Sequence, residues 1–194
     1  PQLKSRQSAF PSLCRLPNGD ILASHVIGEA FESVDATTYL SVSKDGGLSF
    51  SLIGPMFSGE NAAPHFSDSC KLTLLPDGRL CAFGYAYDRR DPSLPIGNPE
   101  TGGLLPDMVF ISYSENLGRT WSPWQEIQCA WGPHVEASAP MYVLQSGQNP
   151  SGAWVSPITG FADWQGNHVG KNCGRLLRSE DEGKTWSDDV ICME

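Results

Sequence analysis

Ser179-Glu180-Asp181-Glu182-Gly183-Lys184-Thr185-Trp186 is one of three copies of an octapeptide pattern in this 194-residue chain. The others are Ser43-Lys44-Asp45-Gly46-Gly47-Leu48-Ser49-Phe50 and Ser114-Glu115-Asn116-Leu117-Gly118-Arg119-Thr120-Trp121. Each joins a serine, an Asp or Asn, a glycine and a closing aromatic. The Asp or Asn side chain is expected to accept hydrogen bonds from backbone N–H groups two residues on, holding a turn. Gly47, Gly118 and Gly183 then supply positive φ, and Phe50, Trp121 and Trp186 pack into the fold as anchors. The acidic members also suit metal binding or catalysis. Asn116, an amide that can cap a turn but cannot act as an acid, favours the turn staple.

Working outward, a second and weaker repeat precedes each octapeptide: Leu16-Pro17-Asn18-Gly19-Asp20, Leu75-Pro76-Asp77-Gly78-Arg79 and Leu144-Gln145-Ser146-Gly147. Asn-Gly and Asp-Gly between apolar runs are hairpin signals. The order is therefore strand, tight turn, strand, variable loop, strand, octapeptide turn, strand, three times over. No segment keeps a helical period through three turns. Four antiparallel strands in a repeated unit describe blades of an all-β propeller. The expected domain is residues 1–194, with three blades at approximately 8–62, 63–133 and 134–194.

Composition agrees. Twenty glycines and 15 prolines are spread along the chain, 40% of residues are apolar and 18% charged, which suits a packed fold with many turns. A net charge of −9 argues against nucleic acid, whose phosphates need a surplus of Lys and Arg. No apolar run reaches the roughly 18 residues of a membrane-spanning helix. The six cysteines occur singly, without C-x-x-C or zinc-finger spacing, and most sit in strand-like stretches. That favours buried free thiols over a disulfide framework. Neither a metal nor a cofactor is expected.

If the octapeptides occupy one face, the loops between second and third strands open on the other, together with the segments that lead into each inner strand. The first loop carries Glu29, Glu32 and Asp35. The second, residues 84–107, carries Asp88-Arg89-Arg90-Asp91 and Tyr87, and the third carries Asp163, Trp164, His168 and Lys171. The leading segments add His65 and Asp68, then His134 and Glu136. Asp35 precedes a third strand and suits a proton donor if burial raises its pKa. Glu136 and Asp68 precede inner strands and point toward the axis, and a pair of carboxylates is the minimum for glycoside hydrolysis. Arg89 and Arg90 suit an anion or hydroxyl contact, and Trp164 a sugar platform. Each has a plainer reading. Asp88 through Asp91 also reads as a self-paired charge cluster, Trp164 as packed on its own blade, and His65, His134 and His168 as scattered surface histidines.

The octapeptides resemble the Asp boxes of the sialidase superfamily, Ser-x-Asp-x-Gly-x-Thr-Trp. The third copy matches in full, the first has Ser49-Phe50 for Thr-Trp, and the second has Asn116 for Asp. The resemblance implies a six-bladed propeller, of which three blades are half, the remainder coming from further chain or from a second copy. It also implies a carbohydrate ligand and a carbohydrate-active enzyme cleaving a terminal glycosidic bond, with Asp35 at the acid/base position. The family's tyrosine nucleophile, its glutamate and its remaining arginines come from later blades and have no counterparts here. The first-blade motif that carries a substrate-binding arginine aligns with Ser8-Ala9-Phe10-Pro11, so Ala9 replaces it. That replacement points to a sugar other than sialic acid. Two alternatives stand beside hydrolysis. One is a non-catalytic propeller that binds glycan or protein. The other is a polysaccharide lyase in which His134, His168 or Tyr87 abstracts a proton beside a uronate.

Overall fold

The computed structural model describes residues 6–31, 33–146, 149–170 and 173–193. Glu32 and Lys171, named above as loop candidates, lie outside the described residues. The first sheet joins β1 (Gln7–Arg15), β2 (Ile21–Gly28), β3 (Thr37–Ser43) and β4 (Ser51–Pro55) in sequence order. The second joins β5 (Phe66–Leu74), β6 (Leu80–Asp88), β7 (Asp107–Ser114) and β8 (Gln125–Ile127) in the same way. The third is β10 (Tyr142–Ser146), β11 (Asn149–Gly160), β12 (Gly174–Ser179) and β13 (Ser187–Met193), with β9 (Val135–Glu136) also paired to β11. All strand pairs are antiparallel. The chain is all-β, and its three sheets are blades of a β-propeller.

Strand alternation decides what each blade buries. Along β6, Cys81, Phe83, Tyr85 and Tyr87 join a core shared with the third blade through Trp154, Ile158 and Leu177. Leu80, Ala82 and Ala86 face the other way, into a core shared with the first blade through Leu16, Leu22 and Leu40. The middle blade is thus buried on both faces. On the first and third blades, Leu13, Ile53, Tyr142, Leu144 and Val190 are exposed.

The octapeptide turns follow one bonding plan. In the third copy the Gly183 N–H donates to Ser179 Oγ at 2.8 Å, and the Thr185 N–H and hydroxyl donate to Asp181 at 2.8 and 2.6 Å. The first copy repeats this from Ser49 to Asp45, and in the second the Thr120 N–H donates to Asn116 Oδ1 at 2.9 Å. The recurring acceptor contact reaches four residues on rather than the expected two, because it bridges past the glycine, where φ is +93° at Gly47, +84° at Gly118 and +85° at Gly183. Trp121 is buried and Trp186 half-buried, but Phe50 is exposed. It lies on the outer face of the first blade beside Leu13 and His25, where no described blade covers it. All six cysteines are free thiols, three of them buried.

Candidate functional site

The leading ends of the inner strands and the loops after the second strands meet, as the topology requires, away from the octapeptide turns. There they line a cavity of about 260 Å³. The first blade gives it Phe10, Val26, Phe31 and Ala36. The second gives Ser67, Asp68, Ser69, Tyr85, Tyr87, Ile96 and Leu104, and the third gives Glu136 and Phe161. Asp68 and Glu136 are the acidic groups in that wall, and both come from inner strands.

Phe10 reaches the cavity because β1 is interrupted between Ala9 and Ser12. Pro11 offers no N–H to the ladder, and Phe10 takes φ +54°, a costly conformation for a side-chain-bearing residue. Lys71 secures it: its Nζ donates to the Phe10 carbonyl at 2.7 Å and lies 5.7 Å from the ring centroid. The third blade's inner strand is also broken, between β9 and β10, and places Glu136 opposite Thr159.

Asp68 is almost fully buried. Its Oδ1 is bonded to the Thr37 hydroxyl, and Oδ2 accepts the Thr38 N–H at 3.1 Å, so the carboxyl also bridges two blades. Burial raises its pKa, against the opposing pull of those hydrogen bonds. Glu136 is half-buried and accepts from the Ser138 hydroxyl at 2.8 Å and from Thr159 Oγ1 at 3.4 Å.

Asp35 lines a different concavity, of about 410 Å³, with Glu29, Ser33, Arg89 and Leu94. It accepts from the Glu29 N–H and the Ser33 hydroxyl and pairs with Arg6 at 2.8 Å. Its modest burial acts to raise its pKa, but those three partners outweigh it and hold the carboxyl below the usual range. An acid donor needs the opposite shift. The two concavities adjoin in sequence, since Asp35 and Pro95 of one precede Ala36 and Ile96 of the other.

The remaining rim candidates are dispersed. Arg89 is buried and donates to the Leu94 carbonyl at 3.0 Å. Arg90 is exposed and pairs with Asp88, whereas Asp91 accepts from Ser93, outside that run. His65 is exposed, and its carbonyl accepts the Arg89 N–H at 2.7 Å. His134 is half-buried with Nδ1 enclosed and unpartnered. His168 is exposed and bridges Ala162. The Trp164 carbonyl accepts from Asn98 and Thr101 at 3.0 and 2.8 Å, tying the long loop of the second blade to that of the third. Gly103 permits this closeness, because a Cβ there would lie 1.7 Å from the Asp163 carbonyl oxygen. Among the described residues no three His, Cys, Asp or Glu side chains form a metal-binding group, and no helix is long and apolar enough to cross a membrane.

One acid was missed by sequence reasoning. Asp107 opens β7, is buried, and accepts the Val135 N–H on Oδ1 at 3.1 Å. Its own N–H donates to the Pro133 carbonyl at 2.8 Å, so it pins the segment that carries Glu136. An acid at the head of a third strand, next to the position Asp35 takes in the first blade when Ser43 and Ser114 are aligned, is the signal that was available.

The folded shape has relatives. A protein of unknown function from Dyadobacter fermentans superposes with a TM-score of 0.67 at 19% identity, over 96% of this chain and 55% of its own. Fructan 1-exohydrolase IIa from Cichorium intybus gives 0.66 at 14% identity, over 98% and 33%. The leech intramolecular trans-sialidase gives 0.60 at 12%, over 93% and 43%. The chain therefore spans about half the length, or less, of these structures. At such identities the likeness is one of fold, shared with glycoside-acting proteins. No protein-family model and no curated protein sequence matches the chain.

Proposed function

We propose that this chain carries the site of a sialidase-like glycoside hydrolase that cleaves a terminal glycosidic bond, with Asp68 as proton donor and Glu136 as its carboxylate partner. The carrying observation is that two acids from neighbouring blades, in unlike environments, share one aromatic cavity. Burial keeps a proton on Asp68 to higher pH than an ordinary aspartate, which suits donation to the departing glycosidic oxygen. Glu136, held by two hydroxyls, stabilises the positive charge that develops at the anomeric carbon. Asp35, Arg89 and Arg90, with His65, His134, Trp164 and His168, belong to the surrounding rim, where the leaving portion of a glycan passes. The octapeptides are Asp boxes on this reading, and the three blades are half of a six-bladed ring.

The test is turnover of chromogenic aryl glycosides. Asp68→Asn and Glu136→Gln should each lower kcat by roughly 10²- to 10⁴-fold while the circular dichroism spectrum is retained. Wild-type turnover in both variants would sink the assignment. One observation favours a second reading, a non-catalytic glycan-binding propeller: both Asp68 oxygens already clamp the first blade to the second. Glycan binding without turnover of any glycoside would select it.

A further inference from the structure

We infer that the 260 Å³ cavity is built for an uncharged sugar ring and discriminates against sialic acids and uronates, an inference that rests on the glycan-site reading above. The cavity is slightly smaller than the roughly 300 Å³ at which small-molecule clefts usually begin, the scale of one ring rather than an oligomer. Phe10, Phe31, Tyr85, Tyr87 and Phe161 give it faces that accept the C–H surfaces of a sugar. Among the described residues of these three blades Asp68 and Glu136 are its carboxyl groups and no Lys or Arg lines it, so a ligand carboxylate would enter a low-dielectric wall that offers it no positive partner.

The nearby cations are engaged elsewhere. Lys71 is buried against the Phe10 carbonyl and ring. Arg6 is paired with Asp35, Arg90 with Asp88, and Arg89 opens on the second concavity. A cationic amino sugar is the other guest that aromatics and acids accept. It is disfavoured because Asp68 as proton donor carries no charge, and Glu136 already accepts from Ser138 and Thr159. The acceptor sites left on these acids suit sugar hydroxyls.

The experiment is titration calorimetry with the methyl glycosides of a neutral pentose, a neutral hexose, glucuronic acid, N-acetylneuraminic acid and glucosamine. A neutral glycoside should bind at least about tenfold more tightly than each charged one, with little dependence on salt. Phe31→Arg, at an exposed rim position, should raise glucuronoside affinity about tenfold by supplying the missing cation. Wild-type preference for the sialoside, glucuronoside or glucosaminide overturns the inference, as does failure to bind either neutral glycoside. The two readings fail separately. Neutral binding without hydrolysis leaves this inference standing and removes the catalytic one. Hydrolysis of a sialoside does the reverse.

Discussion

Asp107 holds its carboxyl between two blades, with Oδ1 on the Val135 N–H and Oδ2 buried without a partner. Burial, opposed by that hydrogen bond and aided by the nearby Glu136 charge, pushes its pKa up to about 7. The unfolded value is near 3.8, so between these two values the folded chain binds the extra proton. The contribution of Asp107 to stability should then be largest below about pH 4, fall as pH rises toward 7, and level off above. Asp107→Asn, which cannot ionise, should flatten this slope in a plot of Tm against pH. A wild-type Tm that stays level from pH 4 to 7 would show that Asp107 is not charged at the expense of folding. The acids differ in how legible they were. Asp68 and Glu136 could be placed from sequence because recognisable inner-strand stretches follow them, although both lie within strands, β5 and β9, rather than ahead of them. The burial of Asp107 could not, since it depends on residues 133–135 of the next blade. The same holds for Asp35, where the Glu29 N–H and the Ser33 hydroxyl, with Arg6 from 29 positions away in sequence, reverse the shift a donor needs.

The octapeptide turn was legible as an element, and its bonding only in part. Ser, Asp or Asn, Gly and aromatic at fixed offsets announce a turn, but which N–H the side chain reaches depends on how the glycine bends the chain. The structure yields a comparison between copies. In the first and third, hydroxyl and N–H donors at Ser49 and Thr185 lower the pKa of Asp45 and Asp181 to about 2. A depressed carboxylate pKa gives stabilisation that is complete above the unfolded value and lost as pH falls through the folded one. Asn116 does not titrate. Amide hydrogen exchange should therefore show the protection of Ser49 and Thr185 falling between about pH 4 and 2, relative to Thr120, which serves as the internal reference. Equal loss at all three turns would mean that the Asp contacts are not what closes them. Phe50 marks the limit of reading at this scale: its place in the octapeptide predicts an anchor, yet whether an anchor is buried depends on the blade beside it.

Across the whole molecule, the middle blade is the keystone, and it separates two cores by the thickness of one sheet. Phe83 fills the core shared with the third blade and Phe110 the core shared with the first, and neither has any exposed surface. The blade repeat was readable from hairpin and octapeptide spacing. Which face of each strand meets which neighbour was not, because a period of two in a strand buried on both sides leaves no polar face to orient it. Phe83→Ala and Phe110→Ala each remove an aromatic from a closed core and should lower stability by about 3–5 kcal/mol in urea titrations. The two losses should add, since each opens space in a different core. Both should appear in one transition, because either core needs the same β5–β8 sheet intact. In a stacked-repeat protein whose neighbours couple weakly, the blades would instead melt in steps. Two separated transitions, with Phe83→Ala moving one and Phe110→Ala the other, would show that the middle blade does not bind its neighbours into a single folding unit.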